Sequence, residues 1–341
     1  TNIITMAKET LGRFGEASAW VSYLFLLYAL TTAYLAGGAS IFNDFVVSLT
    51  GITIPEWFRP VPLLLVFGYF IFRGAASVDR INRILMFGLA CTYCIIMVVL
   101  IPHIDTALLD HYDFRYLFLS SSIIITSFGF HIIIPTLSHY LERDVKKLRI
   151  VMLIGSIIPL LVYIVWNAVT LGIIPLEGQY GIFEGFKEGD NGVHLLTGIL
   201  GSTTISMAAR FFSFFAIVTS FLGVSLSLTD FLSDGFKIEK KGRGNFFLSM
   251  ISFFPPLVIM WYNPRAFLTA LEWAGAFGVI TLLVFLPALM VYRGRYSKNF
   301  KGPYQAPGGK GTLIVVMVLS GLNVLLEIFN KAGLSEWILK K

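Results

Sequence analysis

Charged side chains are scarce in this sequence. They make up 13% of its 341 residues, against roughly 25% in water-soluble domains. A soluble fold wrapped in a charged shell is therefore excluded. Cysteine is nearly absent: Cys91 and Cys94 lie three apart in one apolar run, where they read as packing residues rather than as a disulfide framework or redox pair. No basic start followed by a short apolar core marks a signal peptide; Thr1–Glu16 is polar and amphipathic instead. HExxH, GxSxG and a membrane-depth aspartate pair are all missing, which removes the usual marks of a polytopic membrane enzyme. A channel or non-transporting receptor has no positive feature either, since neither a selectivity-filter sequence nor a ring of like charge is present.

What fills the chain is apolar. Hydrophobic residues reach 56% and the mean hydropathy is +0.77. Nine runs approach the ~20 residues a spanning helix needs, at 17–46, 61–77, 82–102, 117–139, 150–173, 205–233, 246–262, 266–291 and 312–330. They predict an all-α polytopic membrane protein with about nine transmembrane helices. The sequence pI near 9.2 does not signal nucleic acid, because the basic residues sit in short loops between the runs. Segments 1–16, 73–83, 140–149, 235–246 and 292–311 hold 18 of the 26 Lys and Arg, and the alternate segments hold 7. By the positive-inside rule the start of the chain is cytoplasmic and its C-terminus external, or periplasmic. The longest external segment, 174–204, is acidic and glycine-rich. Its tail Gly192–Leu200 suits a short interfacial helix, which serves either as a lid or as part of a solvated connector.

The fourth run carries the main interruption, in SSSIIITSFGFHIIIPTLSHYLERDVKKLR (120–149). Thr126, Ser127, Gly129 and His131 fall inside apolar sequence, with Pro135 just beyond. A freed backbone group in hydrocarbon costs several kcal/mol, so a broken span persists only against protein or a cavity. Gly129 can take positive φ and admits a ligand close to the backbone. Thr126 and Ser127 add hydroxyls, and Phe128 and Phe130 add aromatic walls. Half-helix ends suit a carboxylate at one side and a cation at the other, which fits a zwitterionic amino acid. The alternative is an unbroken helix whose small residues pack against neighbours. His131 is the ionisable group nearest the break. It reads as a proton-handling residue or as a hydrogen bond across an interface.

Three further spans carry polar groups. In the sixth, Arg210, Ser213, Ser220, Gly223, Ser227, Asp230 and Asp234 share one helical face, and Thr219–Ser220 lie near mid-depth. That pair is either a cation or substrate ligand, or it bonds its own i−4 carbonyls. In the first, Tyr28, Thr31 and Thr32 lie one turn apart and suit a cavity wall, or an interfacial anchor in the case of Tyr28. In the seventh, adjacent Pro255 and Pro256 free carbonyls that a neighbour or water must satisfy.

TSFGFH (Thr126–His131) followed by IPTLSHY, then GSIIPLLVYIVWNAVTLG and IVTSFLGVSLSLTDFLSD, with YALTTAYLAGGA in the first run, resemble the bacterial hydroxy and aromatic amino acid permeases across nearly the whole chain. The likeness is greatest to the tyrosine-specific members, since tryptophan permeases more often show FGYH where this chain has Phe130. The resemblance implies the inverted-repeat (5+5) fold of the amino acid/polyamine/organocation superfamily. Residues 1–341 then form one transporter domain: 1–116 the remainder of the first repeat, 117–291 the second repeat, and 292–341 a cytoplasmic linker and final helix. It implies an N-terminally truncated chain lacking the family's first two helices, the first of which carries a Gly-rich break. It implies proton symport of an aromatic amino acid in a bacterial inner membrane. The residues read above, Thr126, Ser127, Phe128, Gly129, Phe130, Tyr28, Thr31 and Thr32, are then the expected substrate residues. His131, Thr219 and Ser220 then serve coupling. Thr219–Ser220 matches the cation position of sodium-coupled relatives, so Na⁺ stays open beside H⁺. A tryptophan or other neutral amino acid permease is the alternative. No cofactor beyond the coupling ion, no nucleic acid and no obligate protein partner is expected; the bilayer and the substrate are the partners.

Overall fold

The computed structural model describes residues 3–110, 120–188, 192–201, 203–263, 266–300, 304–305 and 307–331. The first three residues of the expected run 117–139, and 332–341 of the C-terminal segment, lie outside the described residues. Every regular element described is helical. Helix α1 is Ile3–Thr50, α2 Pro60–Phe72, α3 Ala75–Leu100, α4 Ser121–Ser127, α5 Ile134–Tyr140 and α6 Val145–Leu171. Then come α7 Ile182–Glu188, α8 Gly192–Leu200, α9 Thr203–Phe236, α10 Gly242–Tyr262 and α11 Ala266–Trp273. The last continues through a π-helix, Ala274–Phe285, into α12 Leu286–Tyr296, and α13 is Gly309–Lys331.

Seven helices among the described residues are long and apolar enough to cross a membrane. The other two expected runs are the 13-residue α2 and the interrupted α4–α5. The protein is an all-α, multi-pass membrane protein. Two boundaries differ from expectation for local reasons. The amphipathic opening is continuous with the first span, joined across a kink at Gly12 with φ 75° and ψ −158°, a conformation that glycine alone adopts without strain. The second run stops early, at Phe72, because Gly74 takes φ 93° and starts α3. The apolar length of α6 is largely uncovered, with Leu153, Ile158 and Leu161 more than half exposed; that surface suits lipid.

Two compact units divide the chain. One comprises 27–112 and 161–270, the other 1–26, 113–160 and 271–341. In the first unit α3 packs along α9, and glycine permits the approach. A Cβ on Gly88 would lie 2.7 Å from the Phe215 ring, and where α1 meets α2 one on Gly38 would lie 2.6 Å from Leu63. Small residues bring membrane helices together where no hydrophobic effect drives them. Leu35, Val218, Phe221 and Leu222 are buried in the core this creates. In the other unit the π-helix packs on α13 and α4, and the Asn323 amide donates to Ser121 Oγ at 2.7 Å.

The proline pair in α10 is repaired from a distance. Pro255 has no N–H for the carbonyl four residues back, and Tyr28 Oη donates to that carbonyl, Ile251 O, at 2.8 Å. Removing this donor leaves a part-buried acceptor without a partner, at a cost of about 1–3 kcal/mol. Tyr28→Phe is therefore expected to lower the melting temperature of the detergent-solubilised protein. Adding Pro255→Ala, which restores the helical N–H, should recover most of the loss. Equal destabilisation by Y28F with and without P255A would contradict this account.

Candidate functional site

The interrupted run is built by a change of hydrogen-bond register. Phe128 N–H donates to Ile125 O at 3.3 Å and Gly129 N–H to Thr126 O at 2.9 Å, so each reaches back three residues where an α-helix reaches four. Helix α4 ends there, a 3₁₀ turn covers Phe130–Ile133, and α5 starts at Ile134. The sequence expectation for Gly129 needs correcting in one respect. Its φ is −72°, so the freedom to take positive φ is not used. Space favours glycine instead: a Cβ would stand a tight 3.0 Å from Thr126 O and in ordinary contact, 3.6 Å, with both Val279 methyls. The backbone of the break thus lies close against the π-helix, whose ladder shows in Leu286 N–H donating to Thr281 O.

Around the break, Thr126, Phe128, Gly129, Phe130 and His131 are all half-buried. The Phe130 and His131 rings stack at 5.1 Å with planes 12° apart. His131 Nδ1 is buried without a hydrogen-bond partner, which is costly unless a partner arrives. His131 also lines a cavity of about 420 Å³ together with Met6, Thr10, Ile134, Leu283 and Arg295. The kinked opening of α1 closes one side of it, held where Lys298 Nζ donates to Glu9 O at 2.5 Å. The walls are mostly apolar, with Glu9, Thr10, His131 and Arg295 as the polar residues among them, an arrangement suited to an aromatic or aliphatic body bearing polar groups. Ser127 points elsewhere, since its Oγ donates to Ile123 O at 2.9 Å.

The other expected site residues belong to the unit comprising 27–112 and 161–270, and most of their hydroxyls are engaged by their own helices. Thr31 Oγ1 donates to Leu27 O at 2.7 Å and Thr32 Oγ1 to Tyr28 O at 2.8 Å; both side chains are buried. Thr219 Oγ1 donates to Phe215 O at 2.8 Å and also lies 3.1 Å from Ala216 O. Ser220 differs, because its side chain interacts with that of Tyr34. Tyr28 closes the proline gap described above. The polar stripe of α9 turns its more exposed side outward at Arg210, Gly223, Asp230 and Asp234. Asp230 pairs with Lys240 in the following loop, where burial pushes the ammonium below its ordinary range.

Sequence reasoning did not single out two hydroxyls. Ser225 in α9 and Ser252 in α10 are fully buried with Oγ unpartnered, whereas Thr219 and Thr229 bond carbonyls of their own helix. A serine at either position looks like any other polar residue in a span until its neighbours are placed.

Comparison with known proteins adds the lineage. The chain matches the model of the tryptophan/tyrosine permease family over residues 1–327. It is 34% identical over 336 residues to the tyrosine-specific transport system 1 of Haemophilus influenzae, covering 96% of this chain and 82% of that protein. It is 31% identical over 333 residues to tyrosine-specific transport system 2 of the same organism, covering 97% and 82%. A tryptophan-specific transport protein of Pseudomonas aeruginosa is 30% identical over 331 residues, covering 95% and 79%. With a broken span, a cavity beside it and this kinship along its length, the chain belongs to the tryptophan/tyrosine permease family.

Proposed function

We propose that this protein is a secondary active transporter importing an aromatic amino acid, tyrosine in the first place, by proton symport and alternating access. The observation that carries the reading is the break at Phe128–Gly129, beside a cavity that His131 lines while its Nδ1 is buried without a partner. A substrate held at the break meets the backbone of Thr126, Ser127 and Gly129 with Phe128 and Phe130 beside it, and the cavity receives it on release. His131 carries the coupling proton. Thr219 is already engaged by its own helix, so it needs no cation to satisfy its hydroxyl proton, and the imidazole is the group to which coupling is assigned. Tyrosine comes first because relatives named for it are among those aligned and because Phe130 precedes His131.

The fold arrangement proposed for this activity is the inverted repeat, with 1–116 in the first repeat, 117–291 in the second and 292–341 as linker and last helix. The membrane is a bacterial inner membrane, with the chain's start cytoplasmic and its C-terminus periplasmic, following the charge bias of the loops.

Uptake of labelled tyrosine by membrane vesicles carrying the protein, expressed from its full reading frame, tests this. An imposed inward proton gradient should drive accumulation, a protonophore should collapse it, and replacing Na⁺ should leave it unchanged. Unlabelled tryptophan should compete less well than tyrosine. Accumulation that follows a Na⁺ gradient, or stronger competition by tryptophan, would overturn the corresponding part of the proposal.

A further inference from the structure

A second cavity, also about 420 Å³, lies in the unit comprising 27–112 and 161–270. It opens between the end of α1, α8 and the first turns of α9, in the part of the chain where the loops carry few basic residues. Asp44, His194 and Arg210 bring ionisable groups of both signs to its lining, and Thr197 and Ser213 bring hydroxyls, beside an apolar wall that includes Val47 and Val193.

The parts are held by ordinary local forces. Leu195 and Leu196 are buried in the core, which fixes the rotation of α8 and keeps His194 and Thr197 on the cavity. The loop following α1 is tied down by Ile54 N–H donating to Asn43 Oδ1 at 3.2 Å. Arg210 is exposed, and among the described residues it makes no hydrogen bond or ion pair. A guanidinium is a planar fork that matches a carboxylate in two parallel hydrogen bonds, so an unengaged one on a cavity wall is a place for that group.

We infer that this cavity is a second binding site, outside the broken helix, for a free α-amino acid. Arg210 holds the carboxylate, Asp44 faces the ammonium, and the apolar wall takes the side chain. The inference rests on reading the protein as an amino acid carrier, and it adds a place where substrate is held before it reaches the break. Charges of both signs select a zwitterion. A simple anion would meet Asp44 as well as Arg210, and a simple cation the reverse. The volume falls within the roughly 300–1,000 Å³ of small-molecule sites.

The test reads occupancy directly. In purified protein in lipid nanodiscs, with the exposed Cys91 and Cys94 replaced by alanine, Thr197→Cys reports alkylation by a maleimide, and Ser213→Cys serves as a second reporter. Tyrosine should slow alkylation at least fivefold. Tyramine, which lacks the carboxylate, and 4-hydroxyphenylpropionate, which lacks the amine, should slow it less than twofold. The protection by tyrosine should disappear with Arg210→Gln and with Asp44→Asn. Absence of protection at both reporters overturns the inference, and so does protection that survives R210Q, which would mean a distant conformational effect. Wild-type uptake measured in parallel separates the two claims. Uptake without protection removes this site and leaves the carrier; protection without uptake does the reverse.

Discussion

His131→Gln should abolish proton-driven accumulation while leaving exchange of substrate across the membrane intact. Glutamine keeps a polar side chain of similar reach but cannot bind and release a proton near neutral pH, which imidazole does. The group sits beside the break. Its Nδ1 is buried without a partner, its ring lies on Phe130, and it borders the cavity beside the break. A gradient of one pH unit supports about tenfold accumulation for each proton coupled. The H131Q carrier should therefore fall from that ratio to about one, with counterflow of labelled tyrosine continuing. Wild-type accumulation by H131Q would assign the histidine a packing role. Loss of exchange together with accumulation would mean that the substitution damages the site rather than its coupling.

The second large effect is on folding. Gly278→Leu is expected to destabilise the protein by about 3 kcal/mol or more, the upper end of what overpacking costs. Gly278 lies in the π-helix with no room beside it. Even a Cβ there would stand 2.9 Å from Leu26 Cδ1, 3.0 Å from its Cβ and 3.2 Å from its Cα. A side-chain tip can rotate away, but the Cα cannot, and Leu26 is itself buried at 2% exposure. The readout is the yield of monodisperse protein in mild detergent and its melting temperature. Gly223→Ala is the control, because a Cβ at Gly223 meets nothing within 4 Å. Replacing a helical glycine where there is space should be neutral or stabilising by up to about 1 kcal/mol. Equal behaviour of G278L and G223A would refute the packing argument.

The spans were legible because their signal is local and additive: twenty apolar residues cannot be hidden. The break at 126–131 was legible for a related reason, since Ser, Thr, Gly and His interrupt an otherwise uniform run. The short helix Gly192–Leu200 was also visible in its pattern. Other features depend on partners far along the chain or on rotamers, and pattern does not carry them. Whether Thr31, Thr32, Ser127 and Thr219 face a ligand or their own carbonyls is a matter of one side-chain torsion each. That Tyr28 meets Ile251 involves residues 223 apart, and the sequence shows only that Pro255 needs a donor from somewhere. The π-helix at Ala274–Phe285 has no evident sequence cause beyond a cluster of small residues, and it sets how near α4 and α1 come. The cavity holding Asp44 and Arg210 is assembled from three separate stretches, none of which looks like a site alone.

The bond from Tyr28 to Ile251 also bears on how the protein is made. A threonine that bonds its own helix enters the membrane already satisfied, so its span needs no neighbour at that moment. Helix α10 differs, because Pro255 frees a carbonyl that its own helix cannot cover and that another span does. Chains emerge N-terminal end first, so the helix bearing Tyr28 has left the ribosome before α10 appears. The acceptor that would be costly alone in lipid is thus synthesised after its donor. Reordering the spans by circular permutation, so that α10 emerged before α1, would remove that protection and expose the open carbonyl during insertion.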